Sequence, residues 1–182
     1  WKFLKDYGVT LIVDLRSPME REQEPFGREA EAAGIRYHSV PMFDNIQSND
    51  GTEEFPSSLH DLYIRMLDKN GAQIREVLRE FLKNEEGCCL FNCTAGKDRT
   101  GVIAMLLLGL ADVEDDTIIA DYSVSAENMK PLFEGQIRAM KQAGYGNLCF
   151  LLESDPEDMR LTLRFLKDRY GNARKYLANL LT

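Results

Sequence analysis

No stretch of this sequence is apolar for long enough to cross a bilayer. The most hydrophobic run, Val102 to Ala111, falls far short of the ~20 residues a spanning helix needs, and reads instead as a buried helix. A basic surplus is also lacking. Lys and Arg number 22 against 30 Asp and Glu, a net charge of −8, which excludes bulk electrostatic attraction to a nucleic-acid backbone or an anionic membrane. Any anionic substrate must therefore be gripped by a local site. No Pro-, Gly- or Ser-rich stretch divides the 182 residues, so one domain over 1–182 with a sizeable core is expected. The first residues carry no signal-peptide pattern. Histidine is scarce: His38 and His60 are the two, and neither stands at ligand-motif spacing from the cysteines. Cys88, Cys89 and Cys93 form no C-x-x-C knuckle, which weakens a zinc reading. The four cysteines also lack the dispersed spacing of a secreted disulfide framework. Reduced thiols and a cytoplasmic location are the simpler reading.

What is present alternates between strand and helix patterns. VTLIVDL, residues 9–15, is a continuous β-branched run after Gly8, which can end a preceding helix; it predicts a buried strand with Asp14 and Arg16 at its C-terminal end. IRYHSVPM, residues 35–42, predicts a second strand closed by Pro41 and leading into the polar loop 43–56. Helical spacing marks residues 59–67 and 72–82. Gly87 then opens CCLFNC, a third strand, followed from Thr100 by TGVIAMLLLGLA, a helix apolar nearly all round. Residues 115–126, 127–143, 156–170 and 173–180 also read as helices, with Ser154 and Glu157 as a capping box. The expected fold class is α/β: a central sheet flanked by helices, with a helix-rich C-terminal half.

Chemistry concentrates in the loop from Asn92 to Gly101, NCTAGKDRTG, where five residues separate Cys93 from Arg99 at a strand-to-helix junction. The spacing alone is weak, because arginine is common enough for a C-x5-R match to arise by chance. The context strengthens it. A loop closing directly into a helix turns the backbone N–H groups of Thr94, Ala95, Gly96, Lys97 and Asp98 toward its centre, and the helix N-terminus adds positive potential. Such a cradle binds an anion and favours a thiolate at Cys93. Arg99 supplies a planar fork for two phosphoryl oxygens. Thr100 can donate a hydroxyl hydrogen bond to the departing sulfur. The nucleotide-binding alternative G-x-x-x-x-G-K-[ST] fails, since it would need Gly at Phe91 and Ser or Thr at Asp98.

FNCTAGKDRTG resembles the signature loop of the protein tyrosine phosphatase superfamily, and most closely the bacterial tyrosine phosphatase family with loops of the form H-C-x-A-G-K-D-R-T-G. It is also similar to the loop of some phosphoinositide phosphatases. VDLRSPMERE, VPMFDN and IIADYSVS resemble further segments of the bacterial family, so the likeness covers most of the chain. The resemblance implies a two-step reaction in which Cys93 takes the phosphoryl group while an acid protonates the leaving oxygen, and water then hydrolyses the phosphocysteine. It implies no metal and no organic cofactor. The substrate it implies is a phosphorylated protein, with phosphoinositides or inositol phosphates as the alternative, and a phosphate-binding module without turnover as an alternative of another class. No nucleic-acid partner and no stable membrane insertion are expected.

For the acid, Asp44 in VPMFDN matches the family's acidic loop and is favoured over Asp98, because a carboxylate fixed beside the phosphate weakens anion binding. Lys97 reads equally as a second cation for multiply phosphorylated substrates or as a solvated lysine countering Asp98. Two departures from the family stand out. Asn92 replaces its usual His and can hydrogen-bond the loop but not carry charge, and the segment that precedes the family's first strand is not seen before Trp1. Asp14 and Arg16 read either as a brace for the catalytic loop or as a charged pair capping a strand. Asp121, Tyr122 and Ser125 read as neighbours of the site or as the polar edge of a core helix, and His38 as a satisfied strand residue. Strand alternation puts Cys89 and Cys93 on one face, suggesting that an oxidised Cys93 is trapped as a disulfide.

Overall fold

A computed structural model describes residues 1–42 and 56–181. Asp44 and most of the polar loop after the second strand lie outside the described residues. Three strands, β1 (Val9–Asp14), β2 (Arg36–Ser39) and β3 (Cys88–Asn92), form a parallel sheet in the order β2-β1-β3. β1 is central because its run of Leu11, Ile12 and Val13 can be buried on both faces, as parallel sheets require. One extra residue, Thr10, bulges from β1 between the pairs Val9–Cys88 and Leu11–Cys89, which switches the alternation and leaves Val9 and Ile12 on the same face.

That face is covered by α1 (Lys2–Asp6) and α3 (Gly27–Ala32), where Val9, Ile12, Ala30 and Ile35 meet Leu4 and Phe26. The other face, with Leu11, Val13 and Leu15, carries the main core under α4 (Leu59–Lys69), α5 (Gly71–Lys83), α6 (Asp98–Leu110), α8 (Pro156–Tyr170) and α9 (Ala173–Leu181). The α/β class with a sheet between helices and a helical C-terminal half is thus the observed one. Gly109 allows α6 to approach α9 so closely that a Cβ there would lie 2.8 Å from the Ala173 methyl.

Several boundaries differ from the sequence expectation. Residues 115–126 and 127–143 are one helix, α7 (Asp115–Gln142), which runs through Pro131. The cap of α8 is Asp155, whose side chain accepts the Glu157 N–H at 2.8 Å, while Ser154 is buried one position earlier. The S-x-x-E signature is instead realised at α2 (Pro18–Gln23), where Ser17 and Glu20 form a reciprocal capping box with Pro18 at the first helical position. A 3-10 turn, Gly146–Leu152, joins α7 to α8. Among the described residues no helix is long and apolar enough to cross a membrane.

Candidate active site

The ends of β1 and β3 lie side by side, with Asp14 paired to Asn92 and the Leu15 N–H bonded to the Asn92 carbonyl at 2.8 Å. The two loops leaving these strands therefore face each other. From β3 the chain turns through Cys93 to Lys97 and enters α6 at Asp98. Gly96 makes the turn with φ of +66°, a conformation costly for residues bearing a Cβ. Because α6 starts two residues earlier than its apolar run suggested, Arg99 and Thr100 sit inside its first turn, where helix N–H groups have no intrahelical acceptor. The Cys93 sulfur accepts the Thr100 hydroxyl at 3.3 Å. Cys93 is 7% exposed and Arg99 8%, whereas Thr94 and Gly96 open to solvent. The Asn92 amide donates to the Cys93 carbonyl at 3.3 Å.

Arg99 is oriented by a residue the sequence reading passed over. Glu20 on α2 accepts Nη1 through Oε2 and Nη2 through Oε1, each at 2.7 Å. Its Oε2 also accepts the Ser17 N–H at 2.8 Å, and its Oε1 accepts the Thr94 hydroxyl. The Arg99 hydrogen bonds hold the Glu20 carboxyl far below the usual carboxylate range against the opposing effect of burial, with Thr94 and Ser17 adding to them. Burial disfavours the Arg99 cation, but Glu20 and the charges of Cys93 and Asp98 outweigh it and raise the guanidinium above its ordinary value. The signal that locates Glu20 in the sequence is SPME directly after the first strand. A capping box there aims a carboxylate back at the end of the sheet.

Asp14 and Arg16 do not touch the cysteine. Asp14 is fully buried and accepts the Arg16 N–H and Nε through Oδ1, each at 3.0 Å, and Nη2 through Oδ2 at 2.8 Å. The Tyr37 hydroxyl donates to Oδ2 at 2.7 Å, and burial followed by Asp14 pushes that phenol up to about 12. Arg16 also reaches the Glu24 carbonyl at 3.0 Å and stacks over Phe26. This cluster shapes the chain between β1 and α2. It thereby sets the Leu15 carbonyl, which Arg99 Nη1 reaches at 3.4 Å, and Glu20.

Lys97 is not the solvated lysine that was one of its two readings: its side chain is 1% exposed. The ammonium bonds the Glu153 carbonyl at 2.6 Å and the Leu151 carbonyl at 3.1 Å, and pairs with Asp98 Oδ1 at 2.8 Å. The same Oδ1 accepts the Tyr63 hydroxyl at 2.7 Å, and Tyr63 and Tyr122 share a 2.7 Å hydrogen bond. Burial, with Asp98 close by, raises both phenols far above their ordinary value. Of Asp121, Tyr122 and Ser125, only Tyr122 enters this network among the described contacts.

His38 pairs with Glu76 at 2.8 Å on the far edge of the sheet. The proposed disulfide does not fit. Four residues of extended strand separate Cys89 from Cys93 by about 13 Å, well beyond the Cα separation a disulfide tolerates. Among the described residues no group of His, Cys, Asp and Glu is arranged to hold a metal ion.

Cys93 thus follows the end of a parallel strand, and Arg99 lies in the first turn of the buried helix after it. The comparisons name the class. A tyrosine phosphatase family model matches residues 1–182, and the chain belongs to that family, a family of phosphoric monoester hydrolases. It is 34% identical over 125 residues to a tyrosine-protein phosphatase of Nostoc commune, covering 68% of this chain and 42% of that protein. To a putative tyrosine-protein phosphatase of Cupriavidus necator it is 30% identical over 191 residues, covering 98% of this chain and 67% of the relative. The triple specificity protein phosphatase PtpB of Mycobacterium tuberculosis is 29% identical over 206 residues, 96% of this chain and 71% of that protein.

Proposed function

We propose that the protein is a cysteine-dependent phosphatase of phosphotyrosine in proteins. Cys93 attacks phosphorus, forming an S–P bond as the P–O bond to the tyrosyl oxygen breaks, and an acid delivers its proton to that oxygen. Water then attacks the phosphocysteine, the same carboxylate takes the water's proton, and Cys93 leaves as a thiolate with the Thr100 hydroxyl on its sulfur. Arg99 and the N–H groups from Thr94 to Arg99 neutralise the equatorial oxygens. Asp44 is assigned as the acid. Asp98 is the weaker candidate because its Oδ1 is already shared by Lys97 and the Tyr63 hydroxyl.

The observation that carries this reading is the Cys93–Thr100 contact in a loop whose arginine is fixed from outside by Glu20. The names of the relatives support phosphotyrosine, and that of PtpB supports a wider range of phosphoproteins. Hydrolysis of p-nitrophenyl phosphate with chelator present, in the intact protein and in Cys93→Ser, is the test. Turnover by the intact protein and none by the variant is expected; turnover that survives Cys93→Ser would sink the mechanism.

A further inference from the structure

Within the cysteine-phosphatase reading, on which this inference rests, we propose that Lys97 is a positioning residue that braces the phosphate loop from behind and makes no contact with substrate. Its place between Gly96 and Asp98 invites the opposite view, that a second cation lies beside the bound phosphate. The geometry opposes it. An ammonium has three N–H donors, and the structure gives Lys97 three acceptors: the carbonyls of Leu151 and Glu153 and the Asp98 carboxylate. Its side chain is 1% exposed. A buried charge persists only where it is paired and hydrogen-bonded, and here every donor is already used.

The acceptors show what the brace holds. Leu151 lies at the end of the 3-10 turn, one residue before its last, and Glu153 follows it, so their carbonyls lie where no continuing helix supplies N–H partners. Lys97 supplies them, and so ties the connection between α7 and α8 to the start of α6. On its other side it fixes Asp98, which Tyr63 of α4 also holds, and Tyr63 in turn meets Tyr122 of α7 with the two rings edge to face at 5.9 Å. Turn 146–152, α4 and α7 thereby converge on the first turn of α6, which carries Arg99 and Thr100. Lys97 acts on the reaction through those two residues.

A residue that positions the loop serves every phosphomonoester alike, whereas one that reads a second phosphate serves only multiply phosphorylated substrates. In Lys97→Met, kcat is expected to fall by about 10²-fold, the scale of a misplaced catalytic group, and equally on a phosphotyrosine peptide and on a soluble inositol bisphosphate. KM should stay nearly unchanged for both, and Lys97→Arg should restore part of the rate. A rise in KM confined to the inositol bisphosphate, or no loss on either substrate, would overturn the proposal. The unaltered protein gives a second test that needs no variant to fold. Under an amine-acylating reagent, Lys97 should react at least ten times more slowly than Lys130, whose side chain is 69% exposed, and vanadate should not change its rate. Reaction as fast as Lys130, suppressed by vanadate, would contradict the proposal. An inactive intact protein that still shields Lys97 would count against the phosphatase reading and leave the brace standing.

Discussion

The carboxylate of Glu20 holds both amino groups of Arg99, each at 2.7 Å, from a helix that belongs to neither the strand nor the helix of the phosphate loop. An arginine fork is useful only where its plane meets the phosphoryl oxygens, and this contact fixes the plane before substrate arrives. Glu20→Ala should therefore lower kcat/KM on p-nitrophenyl phosphate by about 10²-fold, as expected for a misplaced catalytic group. Unchanged kinetics would mean that Arg99 needs no anchor.

The same pair gives a pH dependence of known sign. Glu20 has its carboxyl pKa lowered in the folded protein, so its stabilisation is complete above the ordinary unfolded value of about 4.3 and is lost as pH falls toward the folded value. Urea unfolding between neutral pH and about pH 3 should show a steeper acid loss for the intact protein than for Glu20→Gln. Parallel curves would contradict the assignment.

How much of this was legible in the sequence varies with the range of the contact. The three strands, the buried helix and the Cys93–Arg99 loop were readable because each is written in contiguous residues: apolar runs, a glycine turn, a fixed spacing. Glu20 was not found, although SPME carries a capping box, because its functional partner lies 79 positions away and only the parallel pairing of β1 and β3 brings them together. Helix α2 spans six residues, too few for apolar periodicity to show. The burial of Lys97, for which two readings stood open, was not legible for a related reason. Local sequence shows a lysine beside an aspartate, while the carbonyls that bury it come from a turn more than fifty residues downstream.

Tyr63→Phe tests the network behind Asp98. The change removes a buried hydroxyl that donates to Asp98 and meets the Tyr122 hydroxyl, leaving the latter in the interior without that partner. A destabilisation of about 1–3 kcal/mol is expected from the loss of these buried hydrogen bonds, read as a lower midpoint in urea. A midpoint equal to that of the intact protein would show that the hydrogen bonds contribute nothing net.

Asp44→Asn separates the two candidate acids. If Asp44 protonates the leaving oxygen, its loss should cost about 10²–10⁴-fold on an aryl phosphate whose phenol is weakly acidic, and much less on one whose phenol is strongly acidic. The complementary Asp98→Asn change should show no such dependence on the leaving group. The reverse pattern would transfer the role to Asp98.

Mild peroxide should take Cys93 to the sulfenic and then the sulfinic acid without forming a bridge to Cys89, because the strand holds the two apart. Mass spectrometry of the unreduced, digested protein reads this directly. A Cys89–Cys93 disulfide would require β3 to unravel.

The most direct test of the account is to quench the enzyme with acid within its first turnover of a phosphotyrosine peptide and to map the phosphoryl group by mass spectrometry. The account predicts one phosphoryl group on the sulfur of Cys93, absent in Cys93→Ser. Turnover with no phosphorylated cysteine, or with the group on another residue, would contradict it.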